Sequence, residues 1–267
     1  MTGIGESKGC VSVINGIICG TGAVIGIALK TVATYTEGVP ETVIECGTDD
    51  RLARICVKRT LEHIGAPEVP YSLKVESEIP PSRGLKSSSS ASNAIIKAVL
   101  AEHGKDTDPM EVVRLGVECS LEAGVTVTGS FDDSCGCELG GFIMTDNCER
   151  RIISRIPVRP RPVIICVPEQ EKVKVPRERY AERASDIKEA IDLCKVDAIF
   201  SAMNLNGRIV AEITGISTEI MDIAMANGAV AAGVSGTGPA IAVVCNPGDQ
   251  DRIASKLPCR TIITEAV

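Results

Sequence analysis

The stretch "EIPPSRGLKSSSSASNAIIKAVLAEH", residues 78–103, runs from two prolines through Gly84 into four consecutive serines and then into an apolar-periodic helix. A helix N-terminus leaves backbone N–H groups unpaired and carries about half a positive charge, so it attracts phosphate. Gly84 permits a close backbone approach, and the hydroxyls of Ser87, Ser88, Ser89 and Ser90 can cap the helix, donate to phosphate oxygens or bind Mg2+. Arg83 and Lys86 add cations beside them. The segment therefore has the make-up of a polyphosphate cradle, its alternative being a serine-rich linker before a capped helix. Two other nucleotide patterns fail: G-x-x-x-x-G-K-[ST] is absent, and Gly20, Gly22 and Gly26 miss G-x-G-x-x-G by one residue.

Outward from this stretch, the 267-residue chain is 44% hydrophobic but 2% aromatic, with no Trp. Its core must be built from Val, Ile, Leu and Ala, which suits an enzyme-like globule better than an aromatic binding surface. A net charge of −7 with no Lys/Arg stripe disfavours a nucleic-acid partner. No apolar run reaches the roughly 18 residues of a membrane span, and "MTGIGESKGC" lacks the basic-then-apolar order of a signal peptide. A cytoplasmic location is the default expectation. The twelve cysteines are scattered and read as small buried hydrophobes in a reducing compartment. Cys135-Gly136-Cys137, flanked by Cys119 and Cys148, does not have zinc-ligand spacing. Oligomeric state leaves no signal.

Along the chain, "VSVINGIICG", "GAVIGIALKTVATYTEG" and "ETVIECG" read as strands and turns. In "DDRLARICVKRTLEHIG", Ala53, Cys56, Val57, Thr60, Leu61 and Ile64 fall on one helical face. "YSLKVESEI" alternates like a half-buried strand, and "DPMEVVRLGVECSLEAG" predicts a helix with Asp108 capping a Pro109 start. Arg and Pro concentrate over 150–162, which suggests a domain boundary. Beyond it come the strand "PVIICVPE", a charged helix from about Arg177, helices over 196–212 and 217–227, the run "GAVAAGVSGTGPAIAVVCNPG", a helix near 250–256 and a last strand "TIIT". The mixture predicts an α+β chain of two layered halves.

"PPSRGLKSSSSAS" resembles the second signature of the GHMP kinases, P-x-x-x-G-L-x-S-S-x-A, and "GVSGTGPAIAVV", residues 233–244, resembles their Gly-rich third signature. The resemblance implies a ribosomal-protein-S5-domain-2-like N-terminal half, residues 1–155, and a ferredoxin-like C-terminal half, residues 156–267. It also implies ATP and Mg2+. Pro81, Ser82, Arg83, Gly84, Leu85, Lys86, Ser87, Ser88, Ser89, Ser90 and Ala91 would then form the ATP-binding loop, and Ser235, Gly236, Thr237 and Gly238 the glycine loop. Family members with a catalytic Asp carry a Gly seven residues after it and a Glu eleven before it. Counting back from Gly140 gives Asp133 and then Glu122. On that carry-over Ser88 and Glu122 hold Mg2+, and Asp133 is the base or acceptor-orienting group. Asp132 is beside it, and a one-residue gap exchanges the two; the alternative for the pair is capping of the following short helix.

"TVTGSFDDSCGCELGGFIMTDNCER" is similar to the paired-Asp segment of the archaeal-type shikimate kinases within that family. The implied reaction is ATP-dependent phosphorylation of the 3-hydroxyl of shikimate. Homoserine, mevalonate or pantoate are alternative acceptors, and a catalytically silent metabolite sensor is the alternative of another class. Thr126, Thr128, Gly129, Asp146 and Asn147 are candidates for contacts to a polyhydroxylated acceptor, and equally for turn residues. One departure stands out: Thr21 occupies the place of an expected N-terminal Lys, with Lys8 and Lys30 as possible substitutes.

Overall fold

The computed structural model describes residues 1–47, 49–126 and 129–267, apart from the side chain of Arg177. The first sheet contains β1 (Thr2–Ile14), β2 (Thr21–Glu37), β3 (Val43–Glu45), β4 (Tyr71–Ser77), β5 (Phe142–Asp146) and β6 (Arg151–Ile156). Its order is β3-β4-β2-β5-β6, with β1 also paired to β2. The 17-residue β2 is the organising strand: its first half pairs with β5, its second half with β4, and β1 runs antiparallel beside it along nearly the whole length.

β1 starts well before the "VSVINGIICG" run read as strand. Its buried positions there, Gly3, Gly5 and Ser7, are small residues beneath α2, so they leave no hydrophobic alternation to read. The end of β1 is buried on both faces, which explains the nearly continuous apolar "CVSVI".

Helices α1 (Arg51–Ile64), α2 (Ser87–Glu102), α3 (Pro109–Glu122) and α4 (Phe131–Leu139) accompany this sheet. The predicted apolar face of α1 is the buried one at Ala53, Cys56, Val57, Thr60 and Leu61. It packs with α2, α3 and the inner faces of β2 and β4 in one core cluster. The start of α3 is as the sequence predicts, with Asp108 accepting a hydrogen bond from Met110 N at 2.9 Å and Pro109 in the first turn.

The second sheet is antiparallel throughout, in the order β10 (Arg260–Glu265), β7 (Pro162–Val167), β9 (Ile241–Val244), β8 (Ala231–Val234). Alternate residues serve two cores: Val163, Ile165, Ala242 and Val244 face one, and Ile164, Cys166, Ile241 and Val243 the other. Around it lie α5 (Arg177–Ala181), α6 (Ala184–Lys195), α7 (Ile199–Thr214), α8 (Glu219–Ala226) and α9 (Gln250–Ala254). The first of these cores also contains Val11, Val13 and Ile14 of β1, and α7 packs directly on β1. The two sheets thus share one apolar interior. Cys10, Cys135 and Cys137 belong to a small core cluster at α4.

Candidate active site

Two helices point their N-termini into one cavity of about 490 Å³. Both begin at a residue with left-handed backbone, Lys86 (φ 65°) before α2 and Ser130 (φ 48°) before α4, and neither side chain caps its own helix. Non-glycine residues rarely hold this conformation, and it clusters at functional sites. The first-turn N–H groups of α2 are thereby left facing the cavity without a side-chain acceptor, which suits an incoming anion.

Of the predicted phosphate loop, Ser82, Gly84, Lys86, Ser87, Ser88 and Ser89 line the cavity. The others do not line it. Leu85 is buried in the shared core, and Pro81 and Ala91 lie outside the lining. The Ser90 hydroxyl is fully buried between the Ser7 carbonyl (3.1 Å) and the Thr31 hydroxyl (2.9 Å), so it faces the β1/β2 side of the helix. Arg83 donates from Nη1 to the carbonyls of Pro168 (3.0 Å) and Gln170 (2.8 Å) on the β7–α5 loop, and its guanidinium is held away from the serines.

The glycine loop seals one wall. Ser235 Oγ donates to Gly84 O at 2.8 Å, Ala240 N donates to Arg83 O at 3.1 Å, and Gly236 N donates to Ser12 Oγ at 2.9 Å. Gly84 has φ +83°, and a Cβ there would collide with the Ser235 carbonyl, so only glycine allows the two loops to meet. Gly236 and Thr237 line the cavity, whereas Ser235 is a buried clamp and Gly238 packs on Ile216 and Val234.

At the centre, Lys86 Nζ lies 3.0 Å from Asp133 Oδ1 and donates to Ser12 Oγ at 2.8 Å; the side chains of Lys86 and Asp133 are 8% and 16% exposed. Burial alone would pull this ammonium down, but the charges of Asp133, Cys10 and Asp132 leave it above the ordinary lysine value. Lys86 therefore supplies the central cation that Thr21 does not. Lys8 is exposed, and Lys30 is paired with Glu6 at the surface at 2.9 Å.

Asp132 is buried beside the pair. Asn147 Nδ2 donates to its Oδ1 at 2.9 Å, Asn147 Oδ1 accepts from Asp132 N at 3.1 Å, and Thr145 Oγ1 fixes that amide at 2.7 Å. A Cβ at Gly22 would strike the Asp132 carboxylate, so the glycine-rich start of β2 makes room for it. Burial, with the neighbouring Asp133 charge second, pushes the Asp132 carboxyl up to about 7. Ser130 holds the N-cap position, and the two acids fall inside the first turn of α4.

Glu122 differs from its expected place. Ser120 is the α3 residue that lines the cavity, and two residues further on a helix has turned by about 200°. Glu122 accordingly faces α1, where its Oε2 accepts from Arg59 Nε at 2.7 Å. Thr126 and Asn147 line the cavity; Asp146 instead accepts from Cys148 N and Glu149 N, both at 3.1 Å, as a turn residue. Gly129 packs against α3 residues Val117 and Leu121, and Thr128 lies outside the described residues. Ser12, Asn15, Gly16, Ile17, Ser120, Val125 and Lys172 also line the cavity without having been singled out. Ser12 and Asn15 had a readable address, the end of an apolar strand, but nothing in the sequence connects them to loops more than 200 residues away.

Residues 51–141 match the family model of the GHMP kinases N terminal domain, and residues 187–263 that of the GHMP kinases C terminal region. A shikimate kinase of Methanocella arvoryzae is 34% identical over 98% of this chain and 93% of its own length. One from Methanothrix thermoacetophila is 36% identical over 91% and 85%. Among solved structures, the mevalonate kinase of Methanococcus jannaschii superposes with a TM-score of 0.82 at 17% identity, covering 99% of this chain and 98% of that one. The homoserine kinase of Cytophaga hutchinsonii gives 0.73 at 16%, covering 99% and 94%. The layered α+β architecture is thus that of these kinases. With both family models in order along one chain and curated relatives spanning nearly all of it, the chain belongs to the GHMP kinase family.

Proposed function

We propose that this chain transfers the γ-phosphoryl group of ATP to the 3-hydroxyl of shikimate, in a cleft between an N-terminal half, residues 1–155, and a C-terminal half, residues 156–267. The observation that carries phosphoryl transfer is the Lys86–Asp133 pair at the open N-terminus of α2. The acceptor rests on the near full-length likeness to curated archaeal shikimate kinases.

The first-turn N–H groups of α2 and the hydroxyls of Ser87, Ser88 and Ser89 bind the phosphates, which need positioning more than covalent help. Lys86, held in place by Ser12 and Asp133, opposes the charge on the phosphoryl oxygens as it develops. Asp133 orients the acceptor hydroxyl and takes its proton as the new P–O bond forms and ADP leaves. Asp132, locked by Asn147, fixes the α4 N-terminus that carries Asp133.

The cavity suits Mg2+ carried largely by phosphate. Among the described residues no cluster of three His, Cys, Asp or Glu side chains could hold a metal ion, and Ser88 in the lining offers a hard oxygen donor of the kind Mg2+ combines with phosphates and water. When bound, Mg2+ neutralises charge on the β and γ phosphates. No described helix is long and apolar enough to cross a membrane.

The test is ADP release from Mg-ATP with shikimate, homoserine, mevalonate and pantoate in parallel. Release with shikimate, giving a 3-phosphate by phosphorus NMR, is expected; release only with another acceptor, or with none, overturns the reading.

A further inference from the structure

Two cations line the cavity among the described residues, Lys86 and Lys172. The charge of Lys86 is already met by Asp133. Lys172 has no carboxylate within ion-pair distance among the described residues. It comes from the opposite half of the molecule, on the loop 168–176 between β7 and α5. That loop is exposed but anchored at its root by the two hydrogen bonds from Arg83. Arg83 thereby ties the start of this loop to the segment that opens α2.

Lys172 lies close enough to the Lys86–Asp133 pair to feel both of its charges. Surrounding protein, and then the like charge of Lys86, pull its ammonium below the ordinary lysine value, with Asp133 opposing them. A cation disfavoured in this way gains from an incoming anion. The phosphates have the α2 N-terminus, three serines and Lys86 to receive them. An acceptor that carries a carboxylate finds Lys86 already paired with Asp133, so Lys172 is the cation left in the lining to receive it.

We propose that Lys172 is the specificity-determining residue for the acceptor: its ammonium pairs with the acceptor's carboxylate and so sets the reacting hydroxyl toward Asp133. This rests on the reading of shikimate, a carboxylate-bearing ring alcohol, as the acceptor. A charge-assisted hydrogen bond of this kind is worth roughly ten- to hundredfold in affinity.

The experiment compares wild type, Lys172→Met and Lys172→Arg on shikimate and on its neutral carboxamide. Lys172→Met is expected to raise KM for shikimate about ten- to hundredfold while KM for ATP stays within about twofold. Lys172→Arg should recover most of the loss, and the carboxamide should show one KM with wild type and Lys172→Met alike. A rise in KM for ATP, an equal penalty on the carboxamide, or an unchanged KM for shikimate overturns the proposal and leaves the acceptor reading intact. Failure of the wild-type enzyme to phosphorylate shikimate overturns that reading first, and the proposal with it.

Discussion

Lys86 and Asp133 belong to different helices, α2 and α4, and meet at 3.0 Å inside the cavity, each at the N-terminal end of its helix. The helix dipoles favour Asp133 there and oppose Lys86, so the pair is held by mutual attraction and by Ser12 rather than by local helix chemistry.

Removing one partner strands the other. Lys86→Met should lower kcat about 10² to 10³-fold and cost about 1 to 3 kcal/mol of stability. Asp133→Asn should retain ATP binding and lose most turnover. The double variant should be less unstable than the sum of the singles, which urea unfolding of all four proteins reads directly. Additive losses would mean that the two charges do not act as a pair.

Asp132 gives stability a pH dependence. The unfolded chain releases this proton near 3.8 and the folded chain near 7. Between those values the folded state binds more protons than the unfolded state, so the contribution of this carboxyl to stability is full below about 4 and is lost as pH rises through about 7. The slope is at most about 1.4 kcal/mol per pH unit. Asp132→Asn keeps the shape and should flatten that stretch of the stability–pH curve. Parallel curves for the two proteins would place the titration elsewhere.

What could be read beforehand was local. The apolar face of α1, the Asp108 cap and the run of serines opening α2 are each contained in a few consecutive residues, and each is found where it was expected. The part of the site built across the fold was hidden. Ser12 meets Gly236 over a separation of 224 residues, and Lys172 reaches the cavity from a loop with no periodicity of its own. For Glu122, the spacing carried over from relatives fixes only distance along the chain. The 100° step of a helix decides which face that residue occupies.

The four serines separate into two kinds. Ser90→Ala removes a buried hydroxyl with two partners and should cost about 1 to 2 kcal/mol in thermal unfolding with turnover largely kept. Ser88 is exposed at the cavity, so Ser88→Ala should leave the melting temperature unchanged and reduce turnover. The reverse pattern would mean that α2 presents its other face to the nucleotide.

Glu122 offers the sharpest test of where the metal is held. Its carboxylate is bound to Arg59 on the α1 side of α3, and Ser120 occupies the face turned to the cavity. Glu122→Gln should therefore leave the Mg2+ concentration for half-maximal turnover within about twofold, and lower stability only slightly, as the loss of an exposed ion pair does. Ser88→Ala should raise that Mg2+ requirement several-fold, because a hard oxygen donor facing the phosphates is lost. A Mg2+ titration of both variants at saturating ATP and shikimate distinguishes the cases. A large shift for Glu122→Gln would require the carboxylate to leave Arg59 and turn toward the cavity during turnover, and Arg59→Ala should then increase metal affinity.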